Sequence, residues 1–547
     1  MNIVGAIFAD FVLAPNGNPS QLTTRLGART ILAHTMRRLT QVDGLTRRCL
    51  FVRPRDGEPA AHALREAGLE NRIDLVPLDT TPYNRRTLLT TARKWNLDSW
   101  RGGLVGSTWF DEYIDPSAAA TLLNHCKCDG ILCLDGHQPV FDPGLASAML
   151  AHAQANEHES KMTFAQTPPG LSGAIVRREA LADVLECNIP VGLLLSYRPE
   201  LAQSDPINRP ACFHAPTHVV RTAARLTGDT RRSRELLEAA LRELGEDVAA
   251  ADLCHWLAAP GHDRAGPLPT EIELELTTAD PLPHSTLRPR GDRVPRREIA
   301  DLAAVARLAE ELAAYDDRLV FLGGHGDPLQ HPQFAQACRL LRSAGVYGLG
   351  VATPLVDLTT ENLDALFGHK VDVVEVLLDA HTAGTYEHVH GADRFAQVVA
   401  NVERLEHARR ERESPQPIVV CSMTRCAATI QEMDRFYDHW IEKIGSALLH
   451  GYNDYCGELP PDTLLRTTPS VREFCRRLAT RLTLLADGSV PLCAQDTRGA
   501  VSLGDWIKQP LRQIWRGEAL RRVREAHERQ GLEALPICLR CSEWSRP

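Results

Sequence analysis

The stretch Cys475-Arg-Arg-Leu-Ala-Thr-Arg-Leu-Thr-Leu-Leu-Ala-Asp487-Gly488-Ser-Val-Pro-Leu-Cys493, with the later Cys538-Leu-Arg-Cys541, decides how the chain is read. Asp487-Gly488 predicts a hairpin turn between the apolar run Leu482–Leu485 and a short strand, Val490–Leu492. Cys538 and Cys541 form a Cys-x-x-Cys hook that presents two sulfurs to one centre. Four thiolates suit a [4Fe–4S] cluster or a structural Zn2+. The plain alternative is a set of buried thiols, since free cysteine packs as a small hydrophobe. Zinc ribbons bring two Cys-x-x-Cys hooks, whereas Cys475 and Cys493 lie far apart in sequence.

Working outward, Ser502-Leu-Gly-Asp505 precedes a helix expected over about Leu511–Arg529, which carries Ile514-Trp515 and leads to the hook. From about residue 450 onward this arrangement resembles the SPASM or twitch extension of radical S-adenosylmethionine (SAM) enzymes. The resemblance implies one auxiliary 4Fe-4S cluster on Cys475, Cys493, Cys538 and Cys541.

At 547 residues the chain is too long for one core, so two to four domains are expected. Its 44% hydrophobic and 24% charged residues are those of a soluble globular protein. A net charge of −9 gives no footprint for nucleic acid. No apolar run approaches the roughly 18 residues of a membrane span. Met1–Asp10 lacks a basic n-region and reads as a first strand rather than a signal peptide. With an odd count of 15 cysteines, this points to a reducing, cytoplasmic setting.

Residues 1–245 alternate strand-like and helical runs: Val4–Phe8, Ile31–Leu39, Leu50–Val52, Gly130–Leu134 and Gly144–Ala155. That pattern argues for an α/β domain with a parallel sheet and ligands at its carboxyl edge. Leu26–Thr35, Leu134–Pro143 and Arg225-Leu-Thr-Gly-Asp229 resemble stretches of GT-A-type nucleotidyltransferases, a Rossmann-like three-layer fold. The resemblance makes Asp135 the candidate Mg2+ ligand; the residue reading leaves a capping or turn role open. The family grips triphosphate with a basic glycine-rich loop, but Phe11–Arg25 has no Lys and one late Arg. Weak triphosphate binding is therefore expected. Cys126, Cys128 and Cys133 are read as packing residues.

A Pro/Gly-rich segment within 246–268 is expected to be a linker, followed by a domain over 269–455 and the cluster domain over 456–547. Glu271–Thr277 alternates acid with aliphatic and reads as a strand. After it come helices over Glu298–Ala314, Pro332–Ala344 and Phe395–Arg409, and strands over Leu319–Leu322, Tyr347–Thr353, Val371–Leu378 and Ile418–Ser422. Repeated βα units of this size predict a full or partial (β/α) TIM barrel.

This domain resembles the radical SAM core. Leu322-Gly-Gly-His-Gly-Asp-Pro-Leu-Gln-His-Pro332 is similar to the family's loop for the methionine end of the cofactor, which implies Gly323, Gly324, Gly326, Asp327 and Pro328 as its binding residues. Its other reading is a tight turn without a ligand. Val376-Leu-Leu-Asp379 and Gly451-Tyr-Asn-Asp-Tyr-Cys-Gly457 also echo family segments. The family's core cluster is held by C-x-x-x-C-x-x-C after the first strand, yet Thr278–Gly291 contains no cysteine, and Cys421 and Cys426 have no third partner at that spacing. His284 and Asp280 do not replace three thiolates for a soft iron centre.

The expectation is a degenerate radical SAM/SPASM protein that keeps its auxiliary cluster but does not cleave SAM. It would serve another enzyme or electron donor by electron transfer, substrate carrying or as a platform, with a small-molecule ligand left open. The alternative is an active enzyme, either a nucleotidyltransferase on sugar phosphates or a radical enzyme with unusual ligation.

Overall fold

The structure is a computed structural model describing all residues except 82, 197–204, 260–264, 298, 465–467 and 547. It divides into two compact units, Met1–His262 and Asp263–Pro547.

The first unit is built on a seven-stranded sheet: β1 (Ile3–Phe8), β2 (Arg47–Val52), β3 (Asp74–Pro77), β4 (Gly130–Asp135), β5 (Met162–Ala165), β6 (Ala174–Arg177) and β7 (Cys212–Phe213), in the order β3-β2-β1-β4-β6-β5-β7. β1 lies parallel to both β2 and β4, while β6 runs antiparallel to β4. Side chains alternate across it. Val4, Ala6 and Phe8 enter one core, Ile3 and Ile7 another, so both faces are covered and three layers result. Local signals start the helices: Thr30 caps Ile31–Leu39, Asp115 caps Pro116–Cys126, and Asp142 caps Pro143–Ala155. The chain leaves β1 toward β2 and β3 on one side and returns through β4 on the other. A crevice opens at the carboxyl ends where this order reverses.

The stretch expected as linker is partly helical. Ala250–Ala258 buries Ala250, Leu253 and Cys254 in a core of the first unit.

The second unit carries an all-parallel sheet of β8 (Glu271–Glu275), β9 (Leu319–Gly323), β10 (Gly348–Thr353), β11 (Val373–Leu377), β12 (Ile418–Arg425), β13 (Ala447–Gly451) and β14 (Arg481–Leu484). Its order is β13-β12-β11-β10-β9-β8-β14. Six consecutive strands that neighbour one another in sequence order make a partial (β/α) barrel, with ligand-facing loops at the carboxyl ends. β13 and the preceding helix Met433–Ile444 were not assigned from the sequence.

Three expected elements differ. The helix expected over Glu298–Ala314 spans Leu302–Leu312, where Asp301 caps it; Glu298 itself lies outside the described residues. Leu482–Leu484 does not pair with the strand beyond Asp487-Gly488. It adds to the barrel sheet as β14, parallel to β8, because Leu482 and Leu484 complete the barrel core. The turn is still made, with Gly488 at φ +94 and Leu485 N–H bonded to Ser489 O at 3.0 Å. Beyond it β15 (Ser489–Pro491) pairs antiparallel with β16 (Ser502–Asp505). Finally, Leu511–Arg529 is two helices, Leu511–Trp515 and Glu518–Glu528, separated at Arg516-Gly517. The apolar stripe Leu511, Ile514, Trp515, Leu520 and Val523 is buried as expected, and Trp515 Nε1–H donates to Ala265 O at 3.1 Å.

Candidate metal centre and barrel mouth

Separate turns deliver the C-terminal thiols. Cys475 precedes the short helix Arg477–Thr480 that leads into β14, and Cys493 lies two residues past β15. Cys538 sits in the helix Pro536–Arg540, and Cys541 caps it, its N–H bonded to Cys538 O at 3.2 Å. These four thiols lie within electrostatic reach of one another, and a fifth, Cys456, joins them. Cys541 and Cys475 each act electrostatically on Cys493 and Cys538, and Cys541 and Cys493 act likewise on Cys456. Among the described residues, no three His, Cys, Asp or Glu side chains are already closed around a single metal-sized point.

Burial pushes the Cys493 and Cys538 thiols up to about 12 and raises Cys475 as well. Cys541 goes the other way, to about 7, chiefly through its hydrogen bond with Cys456. Its sulfur also accepts the Glu543 N–H at 3.2 Å. Buried thiols resist ionisation in the absence of a cation, and a soft metal centre supplies the charge that makes them thiolates. As a donor set these all-sulfur side chains fit an iron–sulfur centre, with zinc the competing soft ion.

Cys456 was missed from the sequence because it has no cysteine at a hook spacing. The remaining thiols separate cleanly: Cys338, Cys421 and Cys426 are fully buried in the barrel unit, and Cys128 and Cys133 in the first unit. Cys126 is half-buried, its sulfur 4.0 Å from that of Cys49.

At the barrel mouth the cysteine-free loop Thr278–Gly291 is tied down by charge. Arg288 forms a two-armed ion pair with Asp379, one arm at 3.3 Å, and reaches Thr424 Oγ1 at 3.5 Å. Asp379, fully buried, also accepts the Thr424 N–H at 2.7 Å. Burial opposes its charge, but Arg288 and then His390 outweigh it and hold the carboxyl at about 2. Arg290 pairs with Asp280 at 3.1 Å and donates to Gly324 O. Beyond the loop, Arg297 and His325 converge on Glu275, with contacts of 2.9 Å each. Their hydrogen bonds overcome burial and hold Glu275 at about 2. None of these arginines was singled out from the sequence. His284 is exposed.

The glycine loop lies where expected, with Gly323 closing β9 and Pro328 opening a short turn to Gln330. Its glycines serve close packing within the chain. A Cβ on Gly326 would stand 2.2 Å from Thr277 O, and Gly324, at φ +91, would place one 2.8 Å from Glu275 Cβ. Asp327 N–H bonds Ala279 O at 2.9 Å, so this loop and Thr278–Gly291 hold each other. Asp327 Oδ1 accepts the Leu329 N–H, while Oδ2 is buried without a hydrogen-bond partner. Burial pushes this carboxyl up to about 7.

In the first unit a cleft of about 680 Å3, counted with its open mouth, lies at the carboxyl ends of β1, β2 and β4. Asp10 and Asp135 line it with Arg53 and Arg86. Asp135 Oδ1 accepts the His137 N–H at 2.7 Å and meets His137 Nδ1 at 2.8 Å, so the carboxylate is partly committed to a turn. His137 Nε2 in turn holds the loop expected to meet phosphate, through Gln21 N–H at 3.1 Å and Ser20 Oγ at 3.3 Å. Arg225 and Asp229 are buried together with Glu112 in one ion-pair network. The cleft's cations come from outside the loop, and Arg86 is paired with Asp10 at 3.4 Å.

Residues 475–542 match SPASM, an iron-sulfur cluster-binding domain. An uncharacterized protein of Treponema pallidum (strain Nichols) is 27% identical over 315 residues, which cover 54% of this chain and 84% of the relative. Among solved structures, BtrN in complex with AdoMet and 2-DOIA is 16% identical at a TM-score of 0.36, covering 50% of this chain and 93% of that one. SuiB of Streptococcus suis bound to precursor peptide SuiA is 11% identical at 0.41, covering 62% and 78%. A cytidylyltransferase from Leptospira borgpetersenii is 14% identical at 0.33, covering 47% and 94%. No described helix is long and apolar enough to cross a membrane.

Proposed function

We propose that this is an iron–sulfur protein holding one 4Fe-4S cluster on Cys475, Cys493, Cys538 and Cys541, with a barrel of radical SAM type that no longer assembles a core cluster. It acts as an electron-transfer, substrate-carrying or structural partner of another enzyme. The observation that carries this reading is the loop Thr278–Gly291. Where the radical SAM family places three thiolates, this loop has none, and its Arg288 and Arg290 are committed to Asp379, Asp280 and Gly324 O. A guanidinium is a permanent cation with no lone pair for iron, so this loop cannot present a soft donor. At the other end of the domain, the converging thiols and the SPASM match support a single auxiliary cluster, whose chemistry is one-electron transfer. The test is to incubate dithionite-reduced protein with SAM under anaerobic conditions. No 5′-deoxyadenosine above the protein-free control is expected; steady formation of that product overturns the proposal.

The second reading, a nucleotidyltransferase acting through the first unit, is favoured by the cleft at the β1–β4 switch and by Arg53, which supplies a cation there. Against it stand the lone pair of arginines among several carboxylates and the engagement of Asp135 by His137. Mg2+-dependent release of pyrophosphate from a nucleoside triphosphate and a sugar phosphate, abolished by Asp135→Ala, would establish it.

A further inference from the structure

Five thiols lie within electrostatic reach of one another near the C-terminus, and a four-iron cluster takes four. The fifth, Cys456, is held in place by its own turn. Tyr455 and Cys456 both adopt the left-handed region, at φ +50 and +57, which costs a non-glycine residue and persists only where the surroundings impose it. Asp454 Oδ1 fixes the turn by accepting the Cys456 N–H at 3.1 Å. The outcome is directional: Cys456 Sγ lies 3.5 Å from the carbonyl of Ile537, the residue just before the Cys538-x-x-Cys541 hook, which sets the thiol beside that hook and within electrostatic reach of the Cys541 sulfur.

We infer that Cys456 is a positioning residue of the C-terminal centre: its S–H donates a hydrogen bond to the Cys541 sulfur once that sulfur is metal-bound, and so raises the cluster's reduction potential without ligating it. This rests on the proposed ligation by Cys475, Cys493, Cys538 and Cys541. With Cys541 as a neutral thiol, the Cys456 S–H has the Ile537 carbonyl as acceptor. A metal-bound thiolate is the stronger acceptor, because hydrogen bonds to ionised groups are about twice as strong as neutral ones. A short rotation of the side chain re-aims the proton. Cys541 would then receive two donors, Glu543 N–H and Cys456 S–H. Reduction adds negative charge to the cluster, and donors to its sulfurs favour that state.

The test uses the full chain, purified anaerobically, as parent, Cys456→Ala and Cys456→Ser. Iron and sulfide content, the electron paramagnetic resonance spectrum of the reduced cluster and its midpoint potential are measured on each. The expected result is iron and sulfide equal to the parent in both variants. The midpoint shifts to more negative potential in Cys456→Ala, with a changed spectrum, and recovers at least partly in Cys456→Ser, whose hydroxyl still donates. Loss of iron in Cys456→Ala would make Cys456 a ligand and overturn the inference. So would an unchanged potential with full iron, and in that case the four-cysteine reading survives. A parent that carries no iron overturns both together.

Discussion

Replacing Arg288 by Ala probes the charged loop on which the proposed function rests. Asp379 is fully buried, and Arg288 is the cation that faces it directly. Holding its carboxyl at about 2, against an ordinary 3.8, corresponds to roughly 2–3 kcal/mol of stabilisation at neutral pH. Removing one partner of a buried pair costs more than that coupling, because the other charge is stranded; about 3–5 kcal/mol is the usual range. The His390 ring and the Thr424 N–H remain near Asp379 and favour the lower end. Urea or thermal unfolding of parent, Arg288→Ala, Asp379→Asn and the double variant forms a cycle that isolates the pair. The sign with pH is fixed. A depressed carboxyl stabilises the fold above its unfolded pKa, so the parent loses this contribution only as pH falls from about 4 toward 2. Without Arg288 the folded carboxyl titrates higher, so this acid-side loss shrinks, its onset near pH 4 being set by the unfolded chain. A destabilisation within about 0.5 kcal/mol, the level of ordinary surface changes, would refute the argument that this loop is pinned over the barrel.

Asp327→Asn should stabilise the protein more at pH 8 than at pH 5. The parent carboxyl is raised to about 7, so the fold holds an extra proton between about pH 4 and 7 and loses stability as pH rises through that window; equal stability gains at both pH values would contradict this. Nucleoside triphosphates with Mg2+ should bind the first unit weakly, since its loop Phe11–Arg25 offers one arginine; calorimetry showing tight binding would contradict it. Cys475→Ala, Cys493→Ala, Cys538→Ala and Cys541→Ala should each lose metal and expose the C-terminus to limited proteolysis, whereas Cys338→Ala should keep its metal. Full metal and parental protease resistance in all four would make them ordinary buried thiols.

Most of the architecture was legible because its signals are local. The alternation of Glu271–Thr277, the helical run Gly144–Ala155 and the apolar run Val4–Phe8 each announce their element within a few residues. What escaped is set by distant pairing. Leu482–Leu484 reads as half of a hairpin until β8, some two hundred residues earlier, claims it as a neighbour. Gly517 divides an apolar stripe that remains continuous in sequence pattern. At the site, the Cys-x-x-Cys spacing revealed Cys538 and Cys541, but Cys456 reaches them only through the turn at Asp454–Gly457. Arg288, Arg290 and Arg297 looked like ordinary charges in a chain rich in arginine. Only the fold places Asp379, Asp280 and Glu275 opposite them. In the glycine loop, a Cβ on Gly324 would meet Glu275 and one on Gly326 would meet Thr277 O, close approaches that only the fold shows.

The central claim is one cluster at the C-terminal thiols and none in the barrel. Iron and acid-labile sulfide determination on anaerobically purified, reconstituted protein tests it most directly. About four irons and about four sulfides per chain are predicted. About eight of each would mean that the barrel also binds a cluster, and zinc without iron would contradict the iron–sulfur assignment altogether.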